Sequence, residues 1–258
     1  MTVLEENSKL AASAASLEDL VPVLATAGAT PLERLQALRD TVPGRITFTT
    51  SFGIEDQAIT HWIFAHGIDI DVVTLDTGRL FPETYDVWAA TEEKYSRRIR
   101  AFFPDPKLLA DFLSDWGVNG FYHAKEARLS CCGVRKVEPL GRALAGSSAW
   151  VTGLRADQSG ARAAVPPATW DAEKQLIKTA PLFDWTREDV VGFVEAEAVP
   201  VNALHAQGFP SIGCAPCTRA IAPGEPERAG RWWWEEQSAK ECGLHVAADG
   251  TLVRTKAA

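Results

Sequence analysis

The chain lacks the features that would place it in a membrane, in a secretory route or on a nucleic acid. Nowhere in its 258 residues do about 18 uncharged apolar residues follow one another, so we predict no membrane-spanning helix and no membrane partner. The N-terminal residues include Glu5 and Glu6 and lack the apolar core of a signal peptide, so we expect a cytoplasmic protein with reduced thiols. The formal net charge of −8 argues against a broad basic surface for nucleic acid.

Sequence repeats and the common phosphate-binding motifs are also missing. The chain contains neither G-x-x-x-x-G-K-[ST] nor G-x-G-x-x-G, and we find no internal repeat, heptad series or low-complexity linker. Its hydrophobic fraction of 46% and charged fraction of 23% are ordinary for a globular protein. A length of 258 residues leaves room for one large α/β domain, alone or with an appended segment.

What the sequence does contain is an alternation of strand-like and helix-like stretches. Runs rich in β-branched or aromatic residues predict strands at residues 45–50, 71–75, 99–103, 148–153 and 174–180. Apolar residues at helical spacing lie between these runs, and the βαβα order predicts an α/β fold with a parallel sheet. Pro and Gly become frequent from residue 200 onward. We therefore expect an α/β domain with N-terminal helices at 1–210 and an irregular segment at 211–258.

Three loops leave the carboxyl ends of predicted strands, at residues 51–56, 76–79 and 153–162. In a parallel sheet, such ends meet at one edge, where ligands bind. The loops are rich in small residues, hydroxyl side chains or arginine, which favours a phosphate-bearing ligand. The Ser-Phe-Gly turn alone is weak evidence, because a strand-to-helix turn also needs glycine for its backbone geometry. Basic residues such as Arg228 and Arg231 indicate either a focused anion site or solvated surface charge.

The five cysteines divide by spacing into four and one. Cys131 and Cys132 are adjacent, Cys214 and Cys217 form a Cys-x-x-Cys, and Cys242 stands alone. The first four predict a tetrathiolate site, for zinc or for an iron–sulfur cluster. Neighbouring side chains on a regular helix point about 100° apart, so a shared site predicts a local distortion at the adjacent pair. Cys242 is then either a nucleophile or a surface thiol.

Blocks spread along the chain resemble one known family. The blocks are SFGIED at 51–56, LDTGRL at 75–80, CCGVRKVEPL at 131–140, WVTGLR at 150–155 with DQS at 157–159, GCAPCTR at 213–219, and GRWWWEE at 230–236 through ECGLH at 241–245. Together they resemble the assimilatory adenylyl-sulfate reductases, the iron–sulfur branch of the family that also contains the phosphoadenylyl-sulfate reductases. The resemblance runs from about residue 45 to 245, and the order of the cysteine-bearing blocks makes it specific.

The resemblance implies a fold, a cofactor and a reaction. The fold would be a nucleotide-binding α/β domain of the adenine nucleotide alpha hydrolase-like (PP-loop) type with an irregular C-terminal catalytic segment. Cys131, Cys132, Cys214 and Cys217 would hold a [4Fe-4S] cluster. Thioredoxin or glutaredoxin would drive reduction of adenylyl sulfate to sulfite and AMP, a step of sulfate assimilation and cysteine biosynthesis. The thiolate of Cys242 would attack the sulfate sulfur and form an S-sulfocysteine.

The resemblance also assigns a set of residues to the substrate. They are Ser51, Gly53, Leu75, Thr77, Gly78, Lys136, Gly153, Arg162, Arg228, Arg231 and His245. The lysine and the three arginines among them would neutralise the sulfate and the α-phosphate, because attack by an anion on an anion is otherwise slow. His245 would help to bind substrate or lower the pKa of the Cys242 thiol. We further expect a homo-oligomer.

The sequence leaves three other functions open. A reductase for 3′-phosphoadenylyl sulfate, or an enzyme that accepts both nucleotides, is the nearest alternative, although its relatives generally lack the four ligand cysteines. An ATP-dependent tRNA-thiolating enzyme has a related fold and cluster, but the acidic charge balance and the ECGLH block argue against it. An iron–sulfur sensor that binds nucleotide without turnover is the alternative outside the enzymes, and it would form no sulfite.

Overall fold

Six strands form one sheet in the computed structural model, which describes residues 16–158 and 165–235. The strands are β1 Arg45–Thr50, β2 Asp71–Leu75, β3 Arg100–Phe102, β4 Ser147–Val151, β5 Ala168–Asp171 and β6 Leu176–Thr179. Their order across the sheet is β3-β2-β1-β4-β6-β5. Every neighbouring pair is parallel except β5 with β6, which is antiparallel. The α/β fold on a mostly parallel sheet is therefore confirmed, with one antiparallel edge that we did not predict.

The unpredicted strand is β5. It is four residues long, it follows two prolines, and it pairs with β6 with Ala168 opposite Thr179. Its buried residues are the first and the last, so the strand lacks the alternating pattern that identifies a half-buried strand from sequence. A short strand at a sheet edge is defined by its neighbour, and the hydrophobic pattern cannot identify it.

Eight α-helices connect and cover the strands in the described parts of the chain. They are α1 Val21–Thr26, α2 Pro31–Thr41, α3 Ile54–Ala65, α4 Pro82–Tyr95, α5 Pro106–Trp116, α6 Lys125–Cys132, α7 Glu138–Leu144 and α8 Arg187–Ala196. Local chemistry sets several of their starts, because α2, α4 and α5 begin with proline and Thr30 and Thr186 form capping boxes. None of the helices described is both long enough and apolar enough to cross a membrane.

The main hydrophobic core lies between the sheet and the helices that flank it. Phe48 of β1, Ile59 of α3 and Leu35 of α2 are fully buried in the same cluster. A second, smaller cluster contains Phe112, Phe121 and the two cysteine pairs. The four cysteines are therefore buried in a cluster that is separate from the main core.

Residues 211–235, the described part of the segment after residue 210, have little regular structure, as the Pro and Gly content predicts. Over residues 211–235 the structure contains a 3₁₀ turn, Ala215–Cys217, and an isolated bridge between Thr218 and Arg231. The turn packs on the α/β part of the chain, because the Ala215 N–H donates to the Arg79 carbonyl oxygen at 2.8 Å. A division into two units at residue 210 stays a prediction.

Candidate functional site

A cleft opens at the sheet edge where β1, β2 and β4 end. It contains about 1290 Å³ of empty space, a value that includes its open mouth. The strand ends contribute Ser51, Leu75, Thr77, Thr152 and Gly153, and the C-terminal segment contributes Gly213, Arg228 and Arg231. The position of the cleft follows from the parallel topology, which brings three loops far apart in sequence to one edge.

The loop after β1 is held by a hydrogen-bonded turn between Ser51 and Asp56. The Ser51 N–H and hydroxyl both donate to Asp56 Oδ2 at 2.6 Å. Burial raises the pKa of the Asp56 carboxyl to about 6, and the two bonds from Ser51 oppose that shift. Gly53 is the N-cap of α3, and it brings no side chain to the first-turn N–H groups. These groups remain suited to an anionic ligand.

The left-handed residue of this loop is Phe52, whereas we expected glycine to be needed there. Phe52 has φ 59°, while Gly53 has an ordinary φ of −68°. The Phe52 ring is buried and stacks on Trp88 at 5.4 Å between ring centroids. The packed ring offsets the cost of the left-handed backbone. The backbone at position 53 does not require glycine. Gly53 instead leaves the loop without a side chain beside the cleft.

Gly153 allows the loop after β4 to approach α3 closely. A Cβ atom at this position would overlap Asp56 Oδ1 and would lie 3.3 Å from Glu55 Cβ. Because both contacts are to buried residues at the start of α3, any side chain at 153 would push the two loops apart.

A buried ion-pair network lies under the cleft and is centred on Arg155. The Arg155 guanidinium is fully buried and contacts three carboxylates: Glu55 at 2.9 Å, Glu227 at 3.1 Å and Asp157 at 3.2 Å. Arg187 lies 3.6 Å from Glu227. Burial and the nearby Glu55 raise the pKa of Glu227, and the two arginines oppose the shift. The network joins the start of α3, the loop after β4 and the C-terminal segment.

The basic side of the cleft is formed by Lys136, Arg228 and Arg231. Arg231 is buried and donates to Ser211 Oγ at 3.3 Å and to the Ile212 carbonyl oxygen at 3.2 Å. Gly213 makes room for this side chain, because a Cβ there would lie 2.6 Å from the Arg231 Cζ. Three cations from two separate segments thus line one cleft, which suits an anionic ligand.

The four cysteines lie together in a buried pocket that adjoins the cleft. Cys131, Cys132, Cys214 and Cys217 belong to one cluster, and each is less than a tenth exposed. The helix changes immediately after the adjacent pair, since a π-helical turn, Gly133–Val137, separates α6 from α7. The distortion follows the pair, whereas the sequence predicts it at the pair, because both cysteines belong to the regular helix α6 and Cys132 has φ −64° and ψ −37°. Lys136, within that turn, and Arg231 line both the pocket and the cleft.

The cysteine pocket contains buried donors that have no hydrogen-bond partner in the part of the chain that the structure describes. They are Arg135 Nε, Arg231 Nε and Trp232 Nε1, each on a residue that lines the pocket. Burial, followed by the neighbouring Cys214 and Cys132, raises the pKa of the Cys217 thiol to about 12. Unsatisfied N–H donors around buried sulfur indicate that the pocket is built for a group that accepts hydrogen bonds.

Comparison with known proteins gives the family of the chain. The sequence pattern of the phosphoadenosine phosphosulfate reductase domain matches residues 45–220. The chain belongs to this family. A relative named adenosine 5′-phosphosulfate reductase from Sinorhizobium fredii is 54% identical over 92% of this chain and 92% of its own. One of the same name from Burkholderia cepacia is 46% identical over 91% of this chain and 93% of its own.

A solved structure agrees with the family assignment. It is a crystal structure of phosphoadenylyl-sulfate (PAPS) reductase from Candida auris in a phosphate complex, with a TM-score of 0.65 and 26% sequence identity. It covers 80% of this chain and 96% of the Candida chain. The region that matches the phosphoadenosine phosphosulfate reductase domain contains the cleft loops and both cysteine pairs, whereas Arg228 and Arg231 follow it.

Most of the residues assigned from sequence lie together in this reductase. Ser51, Gly53, Leu75, Thr77, Lys136, Gly153, Arg228 and Arg231 line the cleft. Gly78 is not among the lining residues; its N–H donates to Asp76 Oδ1 at 2.8 Å, and it lies beside Arg135. Arg162, Cys242 and His245 lie outside the described residues. The roles of all of these residues stay predictions.

The sequence analysis missed several residues of the reductase cleft. Asp56, Arg155 and Glu227 form its buried polar floor, and His205 lines it with Nδ1 2.8 Å from the Phe209 carbonyl oxygen. Burial lowers the pKa of His205. The family blocks contain Asp56 and Arg155, but nothing in their spacing distinguishes a buried ion pair from a solvated charge. Glu227 and His205 lie in irregular segments, where no periodicity marks the buried face.

Proposed function

We propose that the protein reduces adenosine 5′-phosphosulfate to sulfite and AMP. Its relatives from S. fredii and B. cepacia are named for this reaction, and they match over nearly the whole chain. The observation that carries the proposal is the position of Lys136 and Arg231, which line both the cleft and the four-cysteine pocket. The cationic side chains of Lys136 and Arg231 would together neutralise an anionic group bound at that boundary.

In the proposed reaction, Cys242 is the nucleophile. Its thiolate attacks the sulfur of the substrate, the bond from that sulfur to the phosphate oxygen breaks, and AMP leaves with the electron pair. The product is an S-sulfocysteine at Cys242. Lys136, Arg228 and Arg231 would hold the phosphate and sulfate oxygens and offset the repulsion between the thiolate and the dianion. Arg162 and His245 are proposed to assist in the same site.

A dithiol protein of the thioredoxin or glutaredoxin type would complete the cycle. One of its thiolates attacks the Cys242 sulfur, sulfite departs with the electron pair, and a mixed disulfide forms. The second thiol of the dithiol protein resolves this disulfide and regenerates Cys242 as a thiol. The two electrons that reduce sulfate sulfur to sulfite therefore come from one dithiol, which becomes a disulfide.

We infer that Cys131, Cys132, Cys214 and Cys217 hold a [4Fe-4S] cluster. In the described part of the chain, no three His, Cys, Asp or Glu side chains lie close enough to ligate one metal ion. A zinc ion needs its thiolates about 2.3 Å from one centre, whereas a cluster binds each thiolate to a different iron and spreads them wider. The unpartnered N–H donors around the pocket suit hydrogen bonds to sulfur.

When bound, the cluster supplies negative charge beside Lys136, and the proposed chemistry requires no change in its oxidation state. The residues of this chain would balance that charge. Arg135 is buried and donates to the Thr77 carbonyl oxygen at 2.6 Å, and the Thr77 hydroxyl lies 3.3 Å from Cys214 Sγ. Through these contacts, the Cys214 and Cys217 pair packs against the loop after β2, which borders the cleft.

A second candidate substrate is the 3′-phosphorylated nucleotide. The Candida auris structure is of a phosphoadenylyl-sulfate (PAPS) reductase, and it shares the fold of this chain. Steady-state rates of sulfite formation on the two nucleotides, with thioredoxin as reductant, distinguish the candidates. We expect a higher kcat/KM on adenosine 5′-phosphosulfate; a strong preference for the 3′-phosphorylated nucleotide would overturn the assignment.

The covalent step is tested by mass spectrometry of the intact protein after mixing with adenosine 5′-phosphosulfate in the absence of reductant. We expect a sulfonate adduct that maps to Cys242 and is released as sulfite by thioredoxin. The Cys242→Ser variant should bind the nucleotide and keep its iron but form neither adduct nor sulfite. An unmodified wild-type protein would contradict the mechanism. The homo-oligomer and the cytoplasmic location stay predictions.

A further inference from the structure

Arg228 belongs to a short stretch that is held at both ends. At its C-terminal end, the Trp232 N–H donates to the Cys217 carbonyl oxygen at 3.1 Å, and Arg231 bridges to Thr218. At its N-terminal end, the Glu227 carboxylate contacts Arg155 at 3.1 Å. Two turns complete the stretch, from the Ala229 N–H to Pro226 O at 2.8 Å and from the Arg231 N–H to Arg228 O at 3.0 Å.

The two ends of this stretch differ in what holds them. The C-terminal end is attached through backbone hydrogen bonds to the turn that carries the second cysteine pair. The N-terminal end is held by two carboxylates. Glu225 pairs with Arg219 at 2.9 Å, and the partly buried Glu227 reaches across the cleft floor to Arg155 and Arg187. Arg155 is itself fixed by Glu55 on the first turn of α3, directly after the Ser51 loop.

We propose that Glu227 is a positioning residue, which holds Arg228 in the cleft through its ion pair with Arg155. The inference rests on the proposed function, in which Arg228 binds the anionic part of the substrate. The Arg155 guanidinium connects the loop that receives the nucleotide to the segment that supplies this cation. Both sides of the anion site are thereby fixed relative to each other before substrate binds.

The position of Glu227 argues for this role over direct contact with the substrate. A carboxylate that faced a phosphate or sulfate would repel it, and its charge would weaken binding. Glu227 instead directs its carboxylate to two arginines under the cleft, which neutralise it. Removal of the Glu227 carboxylate would break the ion pair that positions the Arg228 end over the cleft floor, while Arg231 would remain held from the Cys217 end.

The test uses double-mutant cycles in the Cys242→Ser background, where adenosine 5′-phosphosulfate binds without turnover. Calorimetry at low ionic strength gives the Kd for the parent and for E227A, E227Q and D157N. The same E227A change is then made together with R228A and, separately, with R231A. Asp157 is the matched control, because it contacts the same Arg155 from an exposed position.

We expect E227A to weaken binding about tenfold, which corresponds to a coupling in the usual range for contacting residues. E227Q should lose less, because its amide oxygen still accepts a hydrogen bond from Arg155, and D157N should bind like the parent. The tenfold loss should vanish in the R228A background and persist in the R231A background. If E227A unfolds, E227Q carries the same cycles.

Two results would overturn the inference. One is a parent-like Kd for E227A, and the other is an equal loss from E227A whether or not Arg228 is present, which would mean that Glu227 acts independently. Failure of the parent itself to bind adenosine 5′-phosphosulfate would overturn the proposed function and this inference with it. Visible absorbance and a melting curve for each variant separate these results from loss of folding.

Discussion

The ion-pair network under the cleft and the cysteine pocket differ in how their buried polar groups are partnered. On the cleft floor, Asp56 accepts two hydrogen bonds from Ser51, and Arg155 is surrounded by carboxylates. In the cysteine pocket, three N–H donors lack partners among the described residues. A site whose charges already match one another is preorganised for its ligand, whereas a site with unmatched donors needs a resident group to complete it.

This difference predicts that the two regions respond differently to substitution. Changes in the cysteine pocket should remove the proposed cluster and leave the cleft floor formed. Changes in the cleft floor should alter stability and nucleotide binding while the iron remains. Four variants test whether the two regions differ in this way.

The largest effect is expected for Cys217→Ser. Removal of one of the four proposed ligands should abolish iron binding and the visible absorbance, and sulfite formation should fall about 100-fold or more. Iron analysis and the absorption spectrum of the purified protein measure this. Cys242→Ser, which should keep its iron, is the control for loss of a thiol. A Cys217→Ser protein with full iron content would show that Cys217 is not a ligand.

The next largest effect is expected for Arg155→Met. The change leaves Glu55 and Glu227 buried without their shared cation, so the free energy of unfolding should fall by about 3–5 kcal/mol. Anaerobic urea denaturation measures the change. Arg98→Met provides the control, because the Arg98 side chain is 90% exposed and its pair with Glu92 should be worth at most about 1 kcal/mol. Equal losses in both variants would contradict a buried network.

A smaller loss is expected for Gly153→Ala. The added Cβ would overlap Asp56, so the loop after β4 must move away from α3 at a cost of about 1–3 kcal/mol. Binding of AMP should weaken as well, because both loops line the cleft. Gly192→Ala on α8 is the matched control: apart from its chain neighbours and the backbone of its own helix, no atom lies within 4 Å of the new Cβ, and the change should be neutral or stabilise the helix. Thermal denaturation and AMP titration compare the two variants.

The smallest effect concerns the pH dependence of stability through Asp56. The pKa of Asp56 is raised by burial from 3.8 to about 6, so the folded protein binds this proton more tightly than the unfolded chain does. The resulting stability is present at low pH and is lost as the pH rises from about 4 to 6. Asp56→Asn cannot ionise, so it should be more stable than wild type at pH 7.5.

That advantage should shrink by about 1 kcal/mol between pH 7.5 and pH 5, because the wild-type carboxyl regains its proton. Urea denaturation of both proteins at the two pH values measures it. A constant difference across this range would show that Asp56 ionises normally in the folded protein.

Most of the fold was predictable, because the sequence features that mark its strands and helix starts are local. Five of the six strands are β-branched or aromatic runs, and prolines or capping boxes mark the starts of α2, α4, α5 and α8. A distortion near the adjacent cysteines was expected from the shared site, but its position after Cys132 was not predictable from their spacing. Strand β5 was not predictable from the sequence, because its identity as a strand depends on pairing with β6.

The candidate site was only partly predictable for a related reason. Ser51, Gly153 and the cysteine pairs stand in family blocks, so their importance is visible in the sequence. The conformation of the Ser51 loop was not visible there, since Phe52 takes the left-handed backbone that we assigned to glycine. That choice depends on the burial of the Phe52 ring against Trp88, a residue on α4.

Most of the strand and helix order, the sheet edge at which the cleft opens and the grouping of the four cysteines follow from the amino-acid sequence. Only the tertiary structure decided which charges meet. Arg155 and Glu227 are 72 residues apart, and neither lies in a pattern that marks it as buried. Periodicity and motifs encode local geometry, whereas an ion pair across the cleft floor exists only after distant segments have packed and excluded water from both partners.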